Sequence, residues 1–342
     1  MTAHARRVGW NDPEIAELMA GVPIVDAHVH YWASDGPVRR SPGPFFDLLE
    51  GAELPSEYLP SMYELDRGTL PISAAIYVEM WAEYPEEELN WLDSILSTNT
   101  IPTAIVAGVE LQSKGAPAAL EKLAETPAVV GVRQILGAHS NAKYAYITRD
   151  NLMEEPSWRR AFARLSRLGL AFDVQVYPAQ LQQVSRLAAE YSETVIVVDH
   201  VGMPVDRDDE SIRHWQRGLR ALASMPNVYV KISGIAMVDH AWTDASVDRV
   251  VEPLLKMFGT SRLMFGSNFP VDSPFGYLRD MVASIARGTT GLTFDERRQL
   301  FGGTAWRAYQ LQEVLETGDR TMNHEVRPFA SESIETYREE RP

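Results

Sequence analysis

"PIVDAHVHYW" (residues 23–32) runs from apolar residues into two histidines one position apart, followed at once by two aromatics. If the segment is extended, side chains alternate with period two, so His28 and His30 leave the same side and can share one ligand. Asp26, two residues earlier, has the same parity. Two histidines at an exposed strand end would look identical locally, so their meaning depends on what the rest of the chain brings beside them.

Further apolar, β-branched runs recur along the chain. They read as strands at 23–28, 73–79, 102–110, 128–134, 170–177, 194–200, 227–233 and 262–268. Near-continuous apolar strands suit a parallel sheet buried on both faces. Between them lie helical periodicities. In "EEPSWRRAFARLSRLG", Trp158, Phe162, Leu165 and Leu168 recur at steps of three and four, and Gly169 stands where a C-cap belongs. "AQLQQVSRLAAEYS", "ASVDRVVEPLLKMFG" and "FDERRQLFGGTAWRAYQLQ" carry the same pattern. Eight strand–helix units predict an α/β fold, a single (β/α)8 TIM barrel spanning residues 23–315. Residues 1–22 form an N-terminal extension and 316–342 a charged C-terminal tail. Proline-rich residues 34–60 make a long loop after the first strand, placed where it can cover the active face.

Composition narrows the function. With 47 acidic and 32 basic residues the formal charge is −15, which opposes attraction to phosphate backbones or anionic lipid, so neither nucleic acid nor membrane is an expected partner. The chain has no cysteine, which excludes disulfides and thiolate metal ligands. No signal-peptide-length apolar segment and no run near eighteen apolar residues is seen, and the expected location is cytoplasmic. A homodimer is the default for such a barrel.

In a barrel of this kind the C-terminal ends of all strands meet at one mouth. Polar residues stand at those ends: His28 and His30 on the first strand, Glu79 on the second, Arg133 and Gln134 on the fourth, Gln175 and Tyr177 on the fifth. His200 follows on the sixth, Lys231 and Ser233 on the seventh, and Asn268 with Asp272 on the eighth. Arg133 suits bidentate recognition of a carboxylate, or an ion pair with Glu79. Lys231 leaves an apolar strand, so its charge must be paired or wet; it either binds substrate or bridges to Asp26 or Glu79. Gln175 and Tyr177 are pocket residues, and Trp32, Trp81 and Tyr84 can wall a ring or merely pack loops. The 139–147 loop is placed to enter the pocket.

At this point the chain resembles the amidohydrolase superfamily, in the amidohydrolase-related branch that holds sugar-lactone, muconolactone-type and pyrone-dicarboxylate lactonases. The resemblance rests on "PIVDAHVHYW", "AIYVEMWAEY", "GVRQIL", "FDVQVYPAQL", "VVDHVGMP", "YVKISGIAMV" and "RLMFGSNFPVD", in family order, with "AWRAYQL" similar to the closing helix. It implies a hydrolase, most simply a lactonase that opens a small anionic or polyhydroxylated lactone by water attack. Asp272 then lies where the superfamily's water-activating carboxylate lies, Asn268 orients the water or carbonyl, and His28, His30 and His200 surround the carbonyl oxygen.

Departures from the pattern matter equally. Arg133 and Gln175 stand where two-metal relatives carry ligands, and Asn268 stands where relatives often have Asp, so a binuclear centre is not expected. One Zn²⁺ or Mn²⁺ held by His28, His30, His200 or Asp272, and catalysis without metal, both remain open. Two other readings also stay open: a mononuclear-metal decarboxylase or hydratase of the same superfamily, against which Gln175 argues, and a catalytically decayed barrel acting as a binding protein.

Overall fold

The computed structural model describes residues 9–37, 47–82, 85–312 and 314. Tyr84, Pro42, Pro44, His324 and the 316–342 tail lie outside the described residues. Eight parallel strands occur in chain order: β1 (Ile24–Val29), β2 (Ile72–Val78), β3 (Ala104–Gly108), β4 (Val129–Ile135), β5 (Ala171–Gln175), β6 (Ile196–Val198), β7 (Val228–Ile232) and β8 (Leu263–Phe265). Each pairs with the next. The Val29–Phe269 bridge brings β8 back to β1, with His30 N–H donating to Phe269 O at 2.8 Å. The eight-unit reading of the sequence therefore holds, as a single-domain (β/α)8 barrel.

Small and β-branched residues fill the barrel interior: Val25, Ala27, Ala74, Ile76, Val78, Ala104, Val106, Ala171, Val197 and Met264 form one buried cluster. Trp306, Tyr309 and Leu311, from the C-terminal helical segment, join that cluster rather than the outer one. The segment starts at Thr293, whose hydroxyl accepts from Glu296 N while Glu296 accepts from Thr293 N, a reciprocal cap. It continues through a π-turn at Gln299–Gly303 into Thr304–Ala308. Such a bulge re-aims the helix that follows it, here toward the barrel floor.

The helix expected over 154–169 is shorter than its periodicity suggested, Pro156–Phe162. Beyond it the hydrogen bonds tighten to Arg164→Ala161 and Leu165→Phe162, and a 3₁₀ turn at Ser166–Leu168 ends on Gly169 at φ 69°. The apolar stripe still does its packing: Trp158 stacks on Phe162 at 5.0 Å and meets Phe172 of β5 edge-on at 5.7 Å. Its indole donates to Gln134 Oε1 at 2.8 Å. Among the described residues no helix is long and apolar enough to cross a membrane.

Of the 34–60 loop, the described part runs back across the mouth. Trp32 and Tyr58 pair as an antiparallel bridge, and the Trp32 indole donates to Pro55 O at 3.0 Å. Glu50 meets Lys143, from the loop after β4, at 3.0 Å and His240, beyond β7, at 3.6 Å.

Because Trp158 is fully buried and both stacked and hydrogen-bonded, Trp158→Ala is expected to lower the unfolding free energy by about 3–5 kcal/mol. Urea denaturation followed by far-UV circular dichroism measures this, and a loss under about 1 kcal/mol would show that the cluster does not lock the helix to β5.

Candidate active site

The strand ends do bring the expected residues together. His28 and His30 point the same way, with their Nε2 atoms 3.2 Å apart. His200 joins them, its ring centroid 4.5 Å from that of His28. Asp26 does not. The β1–β2 register shifts between Asp26 and Val29, and this bulge breaks the period-two alternation that linked Asp26 to the histidines. Asp26 instead accepts from Tyr63 OH (2.7 Å), His28 N (3.1 Å) and Ser267 N (2.7 Å), tying β1 to the segment after β8 and to the helix Pro60–Arg67.

Backbone geometry at the mouth is unusual in three places. Trp81 and Asn268 have φ of 53° and 57°, and His200, Val201, Gly202 and Met203 form a consecutive left-handed run at 51°, 53°, 76° and 52°. Left-handed conformations cost L-residues roughly 1–2 kcal/mol each, most for a β-branched residue such as Val201. The run is held by Gly202 N→Asp199 O (3.0 Å), Met203 N→His200 O (2.8 Å) and Trp215 Nε1→Val201 O (2.7 Å). Two glycines make room for the histidines. A Cβ on Gly234 would stand 2.6 Å from His200 Nδ1, and one on Gly266 would stand 2.8 Å from His28 Cβ.

All three imidazoles are neutral at physiological pH. Burial, reinforced by the charge of Arg133, lowers His30 to about 3. His200 also falls to about 3, through burial and then the cations Arg133 and Lys231, against the pull of Asp199. Burial and Lys231 hold His28 well below its ordinary range. His30 Nδ1 sits 2.8 Å from Val78 O, which only accepts, so that nitrogen carries the proton and Nε2 offers its lone pair toward His28.

Beneath the histidines lies a buried ionic chain. Lys231 Nζ stands 2.5 Å from Asp173 Oδ2, 3.2 Å from Asp199 Oδ1 and 3.4 Å from His28 Nδ1, with no solvent exposure of Lys231, Asp173 or Asp199. This corrects the expected partners: Lys231 bridges neither Asp26 nor Glu79. Asp199 Oδ1 is 3.4 Å from His28 Nδ1, and its Oδ2 is 3.7 Å from Arg133 Nη1. Burial pushes the Asp199 carboxyl up, yet Lys231 and His28 outweigh it and hold Asp199 well below the carboxylate range. Burial prevails at Asp173, which rises to about 6 against the opposing pull of Lys231.

Arg133 is committed internally. Its Nε donates to Glu79 Oε1 at 2.7 Å and a second nitrogen to Glu79 O, while Trp81 N donates to Glu79 Oε2 at 2.5 Å. The ion-pair reading of Arg133 and Glu79 is thus the one realised. Trp32 holds the covering loop through Pro55. Trp81, by contrast, is 50% exposed and lies 5.6 Å from Tyr146. Tyr146 in turn stacks at 6.5 Å on Tyr177, so the 139–147 loop does pack against the pocket residues near Gln175.

Asn268 and Asp272 act as a unit. Asn268 Nδ2 donates to Asp272 Oδ1 at 2.8 Å, Ala236 N donates to Oδ2 at 3.2 Å, and burial pushes the Asp272 carboxyl up to about 7 despite these bonds. The Asn268 backbone N–H donates to His28 O at 2.8 Å.

The family profile for amidohydrolases matches residues 25–311. The chain belongs to the amidohydrolase family. An L-fucono-1,5-lactonase from Burkholderia multivorans is 28% identical over 308 residues, 86% of this amidohydrolase and 98% of that protein. A crystal structure of an amidohydrolase from Burkholderia multivorans with bound zinc aligns at TM-score 0.71 and 25% identity, covering 84% of this chain and 99% of that one. The fold is also shared with a probable 2-pyrone-4,6-dicarboxylic acid hydrolase from Acinetobacter baumannii, at TM-score 0.64 and 14% identity over 84% of this chain and 99% of that one.

The residues present fit a single divalent ion. His28, Asp199 and His200 each offer a ligand atom within 4.8 Å of the others, and neither Asp199 oxygen accepts a hydrogen bond among the described residues. Asp199 is absent from the strand-end residues that stand out in the sequence. Its place at the end of "VVD" was the available signal, as was Asp173, two residues before Gln175 on the same face of β5.

Lys231→Met leaves Asp173 and Asp199 buried without their shared cation. The expected loss is about 3–5 kcal/mol of unfolding free energy, read by guanidinium denaturation; a neutral outcome would mean that the carboxylates are protonated or solvated.

Proposed function

We propose that this amidohydrolase opens a small lactone by attack of water at the ring carbonyl. The observation that carries the reading is Asp272, a buried carboxylate pushed up to about 7 and hydrogen-bonded to Asn268, whose backbone N–H donates to His28 O. A base poised near neutral pH beside neutral hydrogen-bonding imidazoles is what ester hydrolysis requires. The lactonase relative and the matched family support the substrate class.

In this mechanism the Asp272 carboxylate takes a proton from water as the oxygen adds to the carbonyl carbon. His28 and His200 face the oxygen on which negative charge develops, and His30, its Nε2 lone pair turned toward His28, orients that imidazole. The ring C–O bond then breaks, and the proton held by Asp272 passes to the leaving ring oxygen, giving a hydroxy acid. Asn268 keeps Asp272 oriented rather than handling the water itself. A divalent ion held by His28, His200 and Asp199, with His30 beside them, would polarise the carbonyl and acidify water. Trp81, Tyr146, Tyr177 and Gln175 form the wall for the substrate ring, and the small-molecule substrate enters beside Trp81. Arg133 and Lys231 shape the site from below, since their charges are already matched by Glu79, Asp173 and Asp199. Residues 23–315 are taken as the working unit, in a cytoplasmic homodimer.

Proton release at constant pH against sugar, muconate-derived and aromatic lactones tests the reading. Turnover of at least one lactone is expected; CO₂ evolution from aromatic acids would replace it with the decarboxylase, and silence on all would leave a binding protein.

Asp272 must be ionised to act, so kcat/KM is expected to fall as pH drops through about 7. Asp272→Asn should lose turnover by about 10²-fold or more. The same substitution should melt higher than the parent at pH 8.5. A carboxyl whose folded pKa is raised lends its full stability only below the unfolded value and loses it as pH rises through the folded one, whereas an amide does not ionise. Near-normal turnover in the variant would remove Asp272 from the role of base.

A further inference from the structure

The ionic chain below the histidines does not end at Asp173. Tyr309, at the end of the C-terminal helix Thr304–Ala308, places its hydroxyl 2.8 Å from both Asp173 oxygens. Its ring also lies under Lys231, with Nζ 5.5 Å from the centroid. Tyr309 is fully buried in the cluster that fills the barrel floor. One connected series therefore crosses the barrel from the closing helix to the mouth: Tyr309, Asp173, Lys231, Asp199, His28.

We propose that Tyr309 is a positioning residue for the hydrolytic site: its hydroxyl fixes Asp173, Asp173 fixes the Lys231 ammonium, and Lys231 holds Asp199 where it orients the His28 imidazole. The proposal rests on the hydrolase reading above, and it holds whether His28 meets the carbonyl itself or an ion. The physical reason is competition. Lys231 is shared by two buried carboxylates, and its nearer contact is with Asp173. The Tyr309 hydroxyl satisfies lone pairs of Asp173 that would otherwise draw the ammonium further from Asp199. Asp199, lacking any hydrogen-bond donor of good geometry among the described residues, depends on that ammonium for its position. Groups that orient a catalytic or ligating imidazole from one layer out typically affect activity 10–100-fold.

The test is a double-mutant cycle on the full chain, using whichever lactone the panel identifies. Tyr309→Phe keeps the ring beneath Lys231 and removes only the hydroxyl. The expected result is a kcat about tenfold lower with KM changed by less than about twofold, and no further loss when Tyr309→Phe is added to Asp173→Asn. Asp173→Asn alone, with Tyr309 intact, should show the same kcat loss, which keeps the proposal testable if Tyr309→Phe does not fold. Unchanged kcat in either single variant, or losses that multiply independently in the double variant, would overturn it. A protein inactive on every lactone before any substitution would instead remove the hydrolase reading, a distinguishable failure.

Discussion

Lys231 carries a full positive charge at a point with no access to water, and that charge has to be matched inside the barrel. Asp173 and Asp199 do so from β5, two strands away, and from the end of the adjacent β6, drawing three strands to a common centre. Removing an ion from water costs several kcal/mol even after relaxation, so such a group is tolerated only where its partners are fixed. Apolar side chains close the barrel below it and strained loop backbone surrounds the histidines above it. The mouth is arranged around this centre.

Charge balance gives the site its chemical character. Arg133 and Lys231 contribute two positive charges, while Glu79, Asp173 and Asp199 contribute three negative ones. The excess is a single negative charge when all five are ionised, which suits either a proton on Asp173, whose carboxyl rises to about 6, or one bound cation. The same two cations, together with burial, keep His28, His30 and His200 neutral. Neutral imidazoles can donate to an oxyanion or ligate a metal, and Asp272, raised by burial in its own pocket, keeps a basicity matched to neutral pH. Two buried carboxylates, Asp199 and Asp272, are thus driven in opposite directions by whether a cation lies beside them.

Much of this was legible in the sequence because parallel strands buried on both faces must be apolar throughout, so each polar residue at a strand end stood out. His28, His30, His200, Asn268 and Asp272 stood out in that way, and barrel topology brings the strand ends that carry them to one mouth. What escaped has physical reasons. The bulge at Asp26–Val29 turns Asp26 out of the histidine series, and a bulge leaves no mark in residue type. Lys231 required partners, but their identity depended on strand stagger, which decides that Asp173 and Asp199 rather than Glu79 reach its height. Tyr309 is nearly 140 residues from Asp173 in the chain and sits in a helix whose local pattern says only that one face is buried. The π-turn at Gln299–Gly303 that precedes it has no signature in periodicity either.

A crystal structure with a lactam analogue, in which the ring nitrogen resists opening, tests the central claim most directly. The account predicts the lactam carbonyl oxygen within hydrogen-bonding reach of His28 or His200, or of an ion they hold, with the carbonyl carbon facing a water on Asp272. An analogue seated with its carbonyl turned away from the histidines, or bound with Asp272 remote from that carbon, would contradict it.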